Sequence, residues 1–127
     1  YMAVRANQRR RGIARALLQQ MVAQYPHAEL ACVASKVSTF EAMGFQVLAA
    51  QGPQVLMNTC SQRSDGLVAV QDLAPIFRST EVQQIHAYLV KQHGKRAMSD
   101  AEKQRDRLLD QMAQQAQALV RERLTVH

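Results

Sequence analysis

The chain has 127 residues, room for one ordinary domain, and 47% of them are hydrophobic, enough for a packed core. Aromatic residues make up only 5% and Trp is absent, so that core has to be aliphatic. A net charge of +6 points to an anionic partner, whether nucleic acid, an anionic membrane or a phosphorylated ligand; no apolar run approaches the about 20 residues of a membrane span, and no signal peptide is visible.

The placement of the charge narrows the choice. Residues 1–60 carry Arg5, Arg9, Arg10, Arg11, Arg15 and Lys36 against Glu29 and Glu41, whereas the remainder holds ten cations against eight anions. The excess is therefore local, an anion site near the N-terminus. Cys32 and Cys60 have no metal-like spacing and read as reduced thiols of a cytosolic protein, so the expected localisation is cytoplasmic.

In chain order, the apolar residues 1–4 read as the end of a β-strand, and a chain that opens inside a strand is expected to lack an upstream part. A basic loop follows, then Gly12. Ile13, Leu17, Leu18, Met21 and Val22 form one stripe of a helix that Pro26 ends. Residues 29–34 read as a second strand. Residues 35–43 read as a short helix, with Gly44 placed like a C′ residue. Residues 45–48 and 54–58 read as two further strands joined by the Gly52-Pro53 turn. The expected fold class is α/β, in the order β-α-β-α-β-β. Residues 61–66 form a polar connector. Residues 66–73 read either as another strand or as the start of a helix that Pro75 stops. Thr80 with Gln83 and Ser99 with Glu102 are capping boxes opening two helices, the first closed by Gly94 and the second reaching Leu124.

The strand, basic loop and helix start at residues 2–18 make an anion site in physical terms. The first helical N–H groups have no intrahelical partner, and the dipole adds partial positive charge there, which suits a pyrophosphate. Gly12 and Ala14 leave the backbone uncovered, and Arg9, Arg10, Arg11 and Arg15 add charge-assisted contacts. A Walker P-loop and a Rossmann fingerprint are both excluded by the missing glycines and lysine. The pattern Arg9-x-x-Gly12-x-Ala14 resembles the acetyl-CoA signature of the GNAT superfamily of N-acetyltransferases, written Q/R-x-x-G-x-G/A. The run Phe40-Glu41-Ala42-Met43-Gly44-Phe45, followed by strand, turn and strand, is similar to a second conserved region of that family.

The resemblance covers residues 1 to about 59, the family's C-terminal, acetyl-CoA-binding half. It implies an enzyme that transfers an acetyl group from acetyl-CoA, as co-substrate, to a primary amine. It further implies that Met2 and Val4, on a splayed strand, bond the pantetheine arm. Residues Arg9, Arg10, Arg11, Gly12, Ile13, Ala14 and Arg15 would hold the pyrophosphate. The family's Tyr general acid falls on Phe40, which has no proton to give. Ser35, Ser38 or Cys32, or solvent, remain as substitutes, and a CoA-binding module with weak or no catalysis remains as an alternative. Glu29 and Glu41 read as structural or solvated carboxylates, and the amine acceptor is not written in these residues.

The expected division is a partial acetyl-CoA-binding domain at 1–60 and a helical extension at 61–127. In the last helix Leu108, Leu109, Met112, Ala116, Leu119, Val120 and Leu124 form an apolar stripe, and mixed charges cover the other faces. The stripe suits packing on the same domain or a homodimer through the C-terminal helices, and a helix-mediated interaction protein is a further alternative. Mixed charge argues against a membrane surface, and the lack of interleaved aromatics argues against nucleic acid. His86, His93 and His127 have no metal-ligand pattern.

Overall fold

The computed structural model describes residues 1–67 and 69–125; Val68, within the 66–73 stretch, and Val126 and His127 lie outside the described residues. The chain is mixed α/β and divides into two compact units. The first takes in Tyr1–Asp65 together with the chain from Gln111 onward, and the second is Gly66–Asp110.

In the first unit, helix α1 (Ile13–Gln24) stops where the chain approaches Pro26: Tyr25, next to that proline, leaves the helical region at φ −128°, as a residue preceding proline is pushed to do. Strand β1 (Glu29–Cys32) follows. A 3-10 turn, Ala34–Lys36, leads into the short helix α2 (Val37–Glu41). Gly44, at φ 93°, reverses the chain after α2, and the Phe45 N–H donates to the Phe40 carbonyl at 3.1 Å. That bond, spanning five residues, is the long one of a Schellman closure whose short bond runs from the Gly44 N–H to the Glu41 carbonyl at 3.0 Å.

Strands β2 (Gln46–Gln51) and β3 (Gln54–Asn58) form an antiparallel hairpin with Gln51 opposite Gln54 and Gly52, at φ 55°, in the turn. The sheet order is β1-β3-β2, so β3 pairs antiparallel with both neighbours. Alternation sends Val55 and Met57, both fully buried, to the core face. There they cluster with Leu18, Cys32, Val37, Phe45, Val47 and Ala116. Full burial of a side chain such as Met57 is worth about 1.5–3 kcal/mol.

The strand expected at residues 1–4 does not form; the first regular element is a 3-10 turn at Ala6–Gln8. A strand exists only as a member of a hydrogen-bonded pair, and no described strand pairs with this segment. The observed order is therefore a helix followed by β-α-β-β. The last helix also differs from expectation. Helix α5 (Lys95–Thr125) starts well before Ser99, which is an interior residue and caps nothing. Its 111–125 stretch belongs with the sheet: Ala116 is fully buried, and Leu119 and Val120 pack against the same cluster.

In the second unit Pro75 opens a short helix, α3 (Ala74–Phe77), instead of ending one, because its fixed φ and missing N–H suit a first turn. Helix α4 (Thr80–His93) is capped by Ser79, whose hydroxyl accepts from the Val82 N–H at 3.4 Å, so the cap lies one residue before the expected Thr80. Gly94 at φ 85° ends it. No described residue of this unit is buried, and Phe77, Ile85, Tyr88 and Leu108 are each more than half exposed.

Asn58 is fully buried at the end of β3. Its amide donates to the Glu29 carboxylate at 3.1 Å, and its Oδ1 accepts from the Cys60 N–H at 2.8 Å. The same Glu29 oxygen accepts from the Ser64 N–H, pinning the connector. Asn58→Asp removes the donor and sets two carboxylates together, a loss of about 3 kcal/mol at neutral pH. Repulsion raises the folded-state pKa of the new pair, so the deficit shrinks as pH falls through the carboxylate range. Urea denaturation of both proteins at neutral and mildly acid pH checks both expectations.

Candidate functional site: a basic cleft at the start of α1

The residues singled out in the sequence converge on one concave surface of the first unit. A cleft of about 720 Å³ is lined by Met2, Ala3 and Val4, by Gln8, Arg9 and Arg10, by Gly12 to Arg15 at the start of α1, and by Lys36, Thr39, Ala42 and Met43. That volume falls within the range of small-molecule sites. It holds Met2, Val4, Arg9, Arg10, Gly12, Ile13, Ala14 and Arg15 together. Arg11 is outside it, and its guanidinium bonds the Gln8 side chain.

The loop geometry follows from its residues. Gly12 is the N-cap of α1 in the left-handed region, at φ 78°, and no side chain caps the helix. The first-turn N–H groups are thus left to solvent or to a ligand. A side chain at Gly12 would meet nothing within 4 Å, so the backbone is open to a close approach. Arg10 also adopts a positive φ, 62°. The Arg9 Nε donates to the Val4 carbonyl at 3.1 Å, tying the basic loop to the apolar segment before it. That carbonyl, expected on a strand facing a ligand, thus accepts one hydrogen bond from within the protein and keeps a second lone pair.

Four cations line the cleft, Arg9, Arg10, Arg15 and Lys36, and no carboxylate does. Among the described residues none of the four forms a salt bridge. Met2, Val4, Ile13, Ala42 and Met43 add apolar surface. The cleft therefore suits a polyanion with a partly apolar body.

Phe40 points elsewhere. Its ring is half-buried against the core and meets Phe45 edge-on, centroids 6.0 Å apart at 76°. Of the hydroxyl and thiol groups on this segment, Thr39 lines the cleft, while Ser35, Ser38 and Cys32 do not. Lys36 and Thr39 were missed as site residues by sequence reasoning. The available signal was spacing: positions 36, 39 and 43 recur at helical intervals and share one face.

Glu41, expected on a solvated face, instead accepts from the Arg123 Nε at 2.9 Å. The hydrogen bond and charge of Glu41 hold the Arg123 guanidinium yet more firmly protonated. This pair borders a second cleft of about 470 Å³ beside β2. Its two charges neutralise each other, so it offers a ligand no unpaired charge. Among the described residues no helix is long and apolar enough to cross a membrane. Comparison with protein-family models, curated proteins and solved structures finds no match to this chain.

Cys32 is buried beside the Met57 sulfur, and burial pushes its thiol above the ordinary value of 9.0; Cys60 is exposed. In the native state iodoacetamide should therefore modify Cys60 and spare Cys32, with both reacting after unfolding. Peptide mass spectrometry reads this directly. A native Cys32 that reacts as fast as Cys60 would contradict the packing.

Proposed function

We propose that the chain binds acetyl-CoA through the basic cleft and supplies the cofactor-holding part of a cytoplasmic N-acetyltransferase acting on a primary amine. The observation that carries this reading is the cleft itself: four cations without a salt bridge among the described residues and an uncapped helix start, with no carboxylate among the lining residues. The GNAT-like motifs of the sequence supply the identity of the ligand. The start of α1, with Gly12 to Arg15, would take the pyrophosphate by backbone N–H groups and guanidinium charge. The apolar residues Met2, Val4, Ile13 and Met43 would lie against the pantetheine arm, with the thioester as the acyl donor.

The chain's own residues bind and orient in this scheme. Arg9 fixes the position of Val4 through the 3.1 Å bond to its carbonyl. Phe40 keeps its ring in the core and takes no part in proton transfer. That placement favours a second reading, binding of CoA without efficient chemistry, because Thr39 is the segment's hydroxyl at the cleft and an aliphatic alcohol is a poor acid.

Isothermal titration with acetyl-CoA tests the reading. Native chain should bind with a Kd on the order of 1–100 μM, and Gly12→Glu should weaken binding at least about a hundredfold by setting a carboxylate among the phosphate oxygens. Gly12→Ala, which adds a Cβ in open space but strains the backbone, should fall between the two. A folded native chain that ignores acetyl-CoA sinks the proposal.

A further inference from the structure

The cleft carries more positive charge than a diphosphate needs. Arg9, Arg10 and Arg15 lie on the loop and first turn of α1, where a diphosphate ester of about two negative charges would sit. Lys36 is different. It comes from the 3-10 turn that leads into α2, a separate element, and it lines the cleft alongside Thr39, Ala42 and Met43. It is exposed, with no salt bridge among the described residues, and no carboxylate of the lining balances it. Four cations match a ligand of about four negative charges, which is a diphosphate plus one phosphomonoester of about −1.5 to −2.

We propose that Lys36 holds a second phosphate group of the ligand, separate from the diphosphate at the start of α1, so that the cleft selects acyl thioesters whose nucleotide carries its own phosphomonoester. This rests on the acetyl-CoA reading and goes beyond it by assigning a selectivity residue. A lysine suits the role, because its ammonium is a compact point charge on a flexible stem and meets a phosphomonoester without a fixed fork geometry.

The test is a cycle of four titrations: native chain and Lys36→Met, each with acetyl-CoA and with acetyl-dephospho-CoA, which lacks the phosphomonoester. Native chain should prefer acetyl-CoA about tenfold, the size of one charge-assisted contact. Lys36→Met should bind both ligands as native chain binds the dephospho form, and Lys36→Arg should restore most of the preference. Equal binding of the two ligands by native chain overturns the inference, as does a preference that survives in Lys36→Met or an equal weakening toward both. Each of these leaves the acetyl-CoA reading standing. Native chain that binds neither ligand removes both proposals together. Thermal melting controls for folding, and Lys36→Gln serves should the methionine variant melt early.

Discussion

Val55 and Met57 lose all contact with solvent because β3 is paired along both edges and every residue from Val55 to Asn58 is buried, and the remaining elements of the first unit are arranged around those two side chains. Val47 and Cys32 reach them from the flanking strands, Leu18 from α1, Val37 from α2, and Ala116 from α5. The requirement is steric as much as hydrophobic. A buried interior packs near crystal density, so the residue that α5 presents at the contact has to be small, and Ala116 lets the helix backbone come close. The strands supply pairing and the helices supply cover, and removing either leaves apolar surface in water.

Much of this first unit was legible in the residues. The 3.6-residue stripe of α1, the Gly44 reversal and the Gly52-Pro53 hairpin each rest on local chemistry, which a sequence displays. The failures share a cause. Residues 1–4 have strand-like composition, but a strand needs a partner, and partners are tertiary facts. Ser79 outcompetes Thr80 as a cap because the chain enters the helix in an extended conformation at Ser79, a backbone property that two adjacent hydroxyl residues do not distinguish. Nothing in the alternating charges of α5 signals that Arg123 would close on Glu41.

The site was legible to a similar degree and for the same reason. A loop that runs directly into a helix keeps its neighbours close in space, so Arg9, Arg10 and Gly12 stay together whatever the rest of the chain does. Lys36 and Thr39 reach the cleft only through the fold of β1 and the turn after it. Phe40 illustrates the limit of matching by position. Its ring serves the core by meeting Phe45, and the next residue toward the N-terminus, Thr39, faces the cleft instead.

The ladder between β2 and β3 is interrupted between Val47 and Ala49, where Leu48 is left without a partner across the sheet. Such a bulge bends and twists the strand that carries it. β2 is an edge strand, and the other described edge, β1, is four residues long. A flat, regular edge is a template on which another copy of a chain can grow a fibril, whereas a kinked edge and a short one are poor templates. The bulged β2 and the four-residue β1 therefore leave this sheet without a long, regular edge among the described strands on which a further strand could add.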